Sequence, residues 1–340
     1  MEIKLNPRPV QKQHFISIHY LRGLAAVLVC VFHIFSNVDF MPKHNGAIHW
    51  MRGGVDIFFV ISGFVMVQST DSKDTSPKHF LLQRCRRIVP LYWIATLAAM
   101  PRVTGEWYLK ICSLLFIPAM NPKIGMMQPV LEPGWTLNYE MFFYVLFAAS
   151  LVLAREIRIY AVSGVFVALV LAGFIFDGGG IFGFYTRSII LEFLFGMAIA
   201  RFGIRLPIIA APIGFAAMIA MQFFELDRLI SLGLPAAVIV ASFLSAEDRM
   251  PSWKWANFLG SASYSIYLFH LIALGVLVYL WPIVGKSIVA FTAVTLVGMV
   301  LMGCGVYWFL ERPMLQMFSA KRPETGNVQQ SDEASLAFKK

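Results

Sequence analysis

The sequence predicts an all-α, polytopic membrane protein of about ten transmembrane helices, with both termini in the cytoplasm. Three observations carry this. The 340 residues are 58% hydrophobic and only 14% charged, with a mean hydropathy of +0.69, whereas soluble domains are about 45–50% apolar and about 25% charged. Apolar runs near the ~20 residues that a spanning helix needs recur along the whole chain. The basic residues also segregate by loop. If the N-terminus is cytoplasmic and the loops alternate, the far side keeps Lys43, Arg52, Arg102, Lys110, Lys123, Arg187, Arg228 and Lys286, eight of the 28 Lys and Arg. The rest lie inside, as the positive-inside rule requires.

The spans are expected at 17–36, 53–69, 87–101, 137–154, 158–176, 186–201, 206–223, 229–246, 262–281 and 287–310. No stretch between them is long enough to hold a soluble domain. The first run follows basic residues, as a secretory leader does. Yet it is long, carries Arg22 and His33, and lacks a small-x-small cleavage site, so it reads as an uncleaved helix. LKICSLLFIPA (109–119) is apolar but short, which suits an interfacial or re-entrant piece within the long loop 102–136. The chain therefore divides into a cytoplasmic segment 1–16, a transmembrane domain 17–313 and a polar, disordered tail 314–340. The net charge of +9 is the signature of cytoplasmic loops rather than of nucleic-acid binding. Cys30, Cys85, Cys112 and Cys304 are scattered, without the spacing of a zinc site or a disulfide framework, and no metal is expected.

Charged groups inside spans cost at least ~2.5–3.5 kcal/mol each near the centre, so each is a functional candidate. In LRGLAAVLVCVFH (21–33), Arg22 and His33 lie eleven positions apart, about 16 Å and about three full turns on a helix, and so share one face. Arg22 falls near the cytosolic boundary, where snorkelling is the alternative role. His33 lies in the outer half, either as a catalytic imidazole or as an interhelical polar contact. Asp56, in GGVDIFFVISGF, enters at the level of His33; it either orients that imidazole or caps the second helix. Arg84, Arg86 and Arg87 cluster at the inner face. They anchor topology or bind an anion, Arg84 and Arg87 sharing a helical face. Glu140 sits about one turn into the fourth span, after Trp135 and Tyr139 of an interfacial aromatic belt; Glu132 precedes the span and reads as solvated. Glu192 enters the sixth span behind Arg187. Tyr267 and His270 lie roughly two turns into the ninth, His270 as an interhelical partner or an active-site neighbour. Glu311 and Arg312 close the last span, where a local ion pair is expected.

These stretches, with RCRRIVPLYW, WTLNYE, LEFLFGMAIA and SYSIYLFHL, resemble the acyltransferase-3 family of membrane acyltransferases, in the family's order and over residues 17 to about 313. The likeness is nearest to bacterial exopolysaccharide (succinoglycan-type) and O-antigen O-acetyltransferases. The resemblance implies transfer of an acetyl group from cytosolic acetyl-CoA to a hydroxyl of a polysaccharide or its lipid-linked precursor at the bacterial inner membrane. His33 matches the family's catalytic histidine. Arg22 belongs to the same motif, Arg84 and Arg87 match its donor-associated pair, and Glu140 matches an acidic position. With these we place Asp56 and Glu140 as the alternative catalytic helpers of His33, Arg86 beside the donor arginines, and Trp135, Tyr139, Glu192, Tyr267 and His270 as substrate-binding or support residues. Expected partners are acetyl-CoA, the glycan acceptor, membrane lipids and the polysaccharide biosynthesis machinery. A hydroxyl needs a base with a pKa near neutrality, which histidine supplies. A proton-coupled carrier or glycan flippase is the alternative that the intramembrane charges leave open.

Overall fold

The computed structural model describes residues 15–41, 48–71, 75–176, 178–284 and 287–319. The segment 1–14 and the tail 320–340 lie outside the described residues. The helices are α1 (Ile16–Asn37), α2 (Gly53–Asp71), α3 (Pro77–Ala99), α4 (Trp107–Leu114), α5 (Gly134–Ser150), α6 (Arg155–Ile175), α7 (Gly180–Tyr185), α8 (Glu192–Phe202), α9 (Ala210–Ala220), α10 (Leu234–Ser245), α11 (Lys254–Leu277), α12 (Ile288–Val306) and α13 (Arg312–Ser319). One ribbon of two short strands pairs Met120 with Met127 and Asn121 with Met126. Each expected span overlaps a helix, although 151–154 and 206–209 fall outside one. Among the described residues, five helical segments are long and apolar enough to cross a membrane: Ile16–Asn37, His49–Asp71, Arg155–Ile175, Lys254–Leu280 and Ile288–Phe318. The others depart from that pattern for visible reasons. Helix α3 carries three arginines in its middle, and α8, α9 and α10 are short helices extended by 3-10 or π turns. The tail expected from residue 314 begins as the last turns of α13, which run to Ser319.

Glycine sets how closely the central helices approach. A Cβ on Gly196 of α8 would collide with the Val60 carbonyl oxygen of α2, and one on Gly63 of α2 would collide with that of Phe193. The two backbones therefore touch reciprocally, the small-residue packing that replaces hydrophobic burial as the glue between helices in lipid. Helix α1 lies against α2, α11 and α12. Its first N–H groups lack a local cap; instead the Glu247 carboxylate accepts from Ile16 at 2.6 Å and from Ser17 at 2.9 Å. A carboxylate there also complements the helix dipole. Tyr20 donates to the Pro251 carbonyl at 2.5 Å, and Arg155 donates to that of Asp71 at 2.8 Å. These contacts gather one end of the bundle, here the near end, where α1 begins. Opposite lies the far end, where α1 finishes and α2 and α5 start. The outer faces of α6 and α12 leave Leu171, Phe174, Val297 and Leu301 exposed, as apolar helices facing hydrocarbon would.

The segment 109–119 forms α4 and the turn that follows. Leu109, Cys112 and Ser113 are buried, whereas Trp107, Tyr108, Ile111 and Leu115 are exposed. It is moored to α3 through its backbone carbonyls: Ser113 accepts from Tyr92 at 3.0 Å and Leu114 from Trp93 at 2.9 Å.

Candidate active site

A cavity of about 110 Å³ opens between α1, α2, α3, α5 and α11. Arg22, Arg84 and Arg87 line it, so the i, i+3 relation on α3 does bring two guanidiniums to one face, beside the first helix's arginine. The side chain of Arg84 is ordered by aromatic faces, with its guanidinium carbon 5.3 Å from the Phe80 centroid and 5.9 Å from that of Tyr144. Arg86 points elsewhere. Two positions from Arg84, it falls on another side of the helix and lies over the Phe318 ring at 5.8 Å, outside the cavity lining.

Glu140 lines the same cavity, and one of its oxygens accepts from Ser62 at 3.2 Å and from the Tyr144 hydroxyl. A carboxylate among three guanidiniums leaves the lining net positive. Glu311 offsets part of that charge from below: it is buried, accepts from Ser265 at 2.5 Å, and faces Arg22 and Arg87. It is presented by a π-helical turn, Tyr307–Glu311, the kind of local bulge often found at functional sites. The local ion pair expected with Arg312 does not form, because Arg312 turns away over the Trp308 ring at 4.5 Å.

Towards the far end, the lining reaches Thr136 and Tyr267. Their hydroxyls meet at 2.9 Å, and Tyr267 also reaches the Pro133 carbonyl at 3.2 Å. One turn further along α11 is His270, fully buried. Its Nδ1 lies 2.5 Å from the Tyr267 carbonyl. A carbonyl only accepts, so Nδ1 carries the proton and Nε2 keeps the lone pair. The His33 ring packs against it, with centroids 4.8 Å apart. The Phe32 ring meets it in an edge-to-face arrangement, centroids 5.0 Å apart. The Nδ1 of His33 is 3.2 Å from Oδ1 of Asn37.

The carboxylate that faces His33 is Glu132, half-buried in the turn before α5 rather than wholly solvated. Asp56 is committed elsewhere. Arg228, just before the π-turn that leads into α10, grips it with two parallel bonds of 2.9 and 2.7 Å, the bidentate geometry that makes such pairs strong. Glu192, fully buried, lies against Asp56 and Arg228. The Arg228 guanidinium also covers the Trp135 ring at 5.5 Å. Tyr139 is a packing residue, stacked on Phe184 at 4.1 Å, its hydroxyl donating to the Phe184 carbonyl at 2.6 Å.

The structure thus sorts the candidates into three groups: Arg22, Arg84, Arg87, Glu140 and Tyr267 in the cavity; His33 and His270 above it; and Asp56, Glu192 and Trp135 around Arg228. Sequence reasoning missed Asn37, Arg228, Ser62, Tyr144 and Glu311. Of these only the buried Glu311 had a signal, a carboxylate at the end of an apolar run. Among the described residues, no three or more His, Cys, Asp or Glu side chains converge as a metal site would need.

Comparison with known proteins places the chain. No solved structure matches it. It is 38% identical over 294 residues to the exopolysaccharide production protein ExoZ of Rhizobium meliloti, covering 80% of this chain and 92% of that one. It is 28% identical over 174 residues to the acyltransferase MdmB of Streptomyces mycarofaciens, covering 46% and 45% of the two chains. It is 26% identical over 293 residues to the membrane-bound transacylase-like BcsY of Komagataeibacter xylinus, covering 74% and 70%. The profile of the acyltransferase-3 family, described as an acyltransferase domain, matches residues 15–310: the chain belongs to that family and is a membrane acyltransferase.

Proposed function

We propose that this acyltransferase moves an acetyl group from cytosolic acetyl-CoA to a hydroxyl of a cell-surface or exported polysaccharide, or of its lipid-linked precursor, at the bacterial inner membrane. The observation that carries the reading is the cavity that begins among Arg22, Arg84 and Arg87 and ends at Tyr267, one helical turn below His270 and its neighbour His33. The polyanionic donor is matched by a guanidinium cluster, and the imidazole that would activate the acceptor stands at the opposite end. Family membership favours this enzyme over the carrier weighed from sequence. The likeness to ExoZ, an exopolysaccharide production protein, supports a glycan acceptor.

The near end is the cytosolic side in this reading, with ten spans and both termini inside. The end-to-end contacts support it, since every pairing named at the near end joins loops that the alternation puts on one side. His33 acts as the base. It takes the hydroxyl proton as the oxygen bonds to the acyl carbon; the C–S bond breaks, and the proton then goes to the departing thiolate. The Arg22, Arg84 and Arg87 guanidiniums hold donor phosphates. Glu140, fixed by Ser62 and Tyr144 in the same cavity, positions those arginines and counters their charge, and Tyr267 and Thr136 form the passage between donor and histidines.

The test is His33→Ala in a deletion strain. Surface polysaccharide should lose its O-acetyl signal in NMR while the variant remains in the membrane; full acetylation would overturn the assignment. In purified protein, Arg84→Glu with Arg87→Glu should weaken acetyl-CoA binding by at least ~10-fold, since charge-assisted bonds are worth about 1.5–3 kcal/mol each. Unchanged affinity would make them topology anchors.

A further inference from the structure

Resting on the reading of His33 as the base, we infer that Asn37 is the positioning residue that decides which nitrogen of His33 is basic, with Ser36 holding Asn37 in the required orientation. One turn of α1 separates His33 from Asn37, so the amide can reach back to the ring. The Nδ1 of His33 lies 3.2 Å from Asn37 Oδ1, and the Ser36 hydroxyl donates to that same oxygen at 2.8 Å. An amide has one face that only accepts and one that only donates. The Ser36 hydroxyl donates to the accepting atom in the orientation that turns it towards the imidazole. Nδ1 is then the protonated nitrogen, and the lone pair resides on Nε2. The ring also packs against Phe32, with centroids 5.0 Å apart, and against His270 at 4.8 Å. His270 has its own tautomer set by the Tyr267 carbonyl and contributes no competing N–H to that face. The arrangement has the logic of a base and its orienting partner, with an amide in place of the carboxylate that Asp56 was expected to supply.

Ser36 and Asn37 are exposed, so water competes for the same bonds. The effect therefore belongs near the lower end of the ~10–100-fold range found for partners that orient a metal-bound histidine.

The experiment uses the full chain in membrane vesicles, with radiolabelled acetyl-CoA and the host's de-O-acetylated polysaccharide, and reads kcat, the KM for acetyl-CoA and the pH profile. Asn37→Leu should lower kcat about 10-fold and leave the donor KM unchanged, because the donor arginines are remote. Asn37→Asp, which presents an acceptor whichever way it turns, should retain activity. Its negative charge, joining Glu132 opposite the ring and facing the neutral His270, should move the acidic limb of the profile to higher pH. Ser36→Ala should lower kcat in the native background but not beside Asn37→Asp, where no amide needs holding. A general structural role for this helix end would not produce that dependence. Asn37→Leu with native kcat across the pH range, in protein that still elutes as a single species from size-exclusion in detergent, overturns the inference. So does an equal Ser36→Ala loss in both backgrounds. His33→Ala run alongside separates the two levels: its retained activity would remove the base itself, whereas a dead His33→Ala with a fully active Asn37→Leu removes only the positioning.

Discussion

At the scale of single residues, the pair formed by Asp56 and Arg228 shows how position along the chain can mislead. Asp56 sits in the first turn of α2, so a cap or an imidazole partner were the natural readings. Its actual partner is 172 residues away in sequence, in a stretch whose sequence marks it only as an outer-loop charge. Asp56 is fully buried, so removing Arg228 strands a carboxylate. Arg228→Ala should cost about 3–5 kcal/mol, as breaking a buried pair does. The combined change Asp56→Asn with Arg228→Gln should recover much of the loss; thermal melting in detergent measures both. Equal melting of Arg228→Ala and the native protein would relegate the pair to the surface class worth about 0–1 kcal/mol. The arginines of the cavity were more legible. Arg84 and Arg87 share a cavity because a regular helix carries i and i+3 on one face, and Arg86 diverges for the same reason. That Glu132 rather than Glu140 faces His33 was not legible, since the turn at Pro133 and Gly134, not the hydropathy of the span, decides which carboxylate does so.

At the scale of elements, the positions of the apolar runs were readable because each must bury its own backbone polar groups in a helix. The interruptions were not. The 3-10 turn before α8 and the π-turn before α10 answer to packing between distant segments, which hydropathy does not encode. The α2–α8 contact offers a direct test. Gly196→Ala places a methyl group against the Val60 carbonyl and must push the two helices apart, whereas Gly164 of α6 has nothing within 4 Å of such a methyl group. Gly164→Ala is expected to be neutral or to stabilise by about 0.5–1 kcal/mol. Gly196→Ala is expected to lower the melting temperature and the activity together. If the two variants melt alike, the close approach is not a constraint.

At the scale of the whole molecule, charge distribution and end contacts make a joint statement about orientation that labelling can check. Ile124→Cys, in the turn after α4, should react with a membrane-impermeant maleimide in cells whose outer membrane has been opened. Ser252→Cys, beside the start of α11, should react only after the inner membrane is also breached. The reverse pattern would invert the molecule and exchange its donor and acceptor sides. The hydroxyl pair of Thr136 and Tyr267 then has an electrical consequence. A cavity continuous with one aqueous phase carries that phase's potential inward as far as its closed end. The membrane potential, worth about 2.3 kcal/mol per elementary charge per 100 mV, would then fall over the short distance between Tyr267 and the far surface instead of the full bilayer. In the proposed reading His33 stands within that thin layer, so any proton it gains or releases as the base moves in a concentrated field. Turnover in energised vesicles should accordingly respond to the polarity of the membrane, a property that no soluble acyltransferase has.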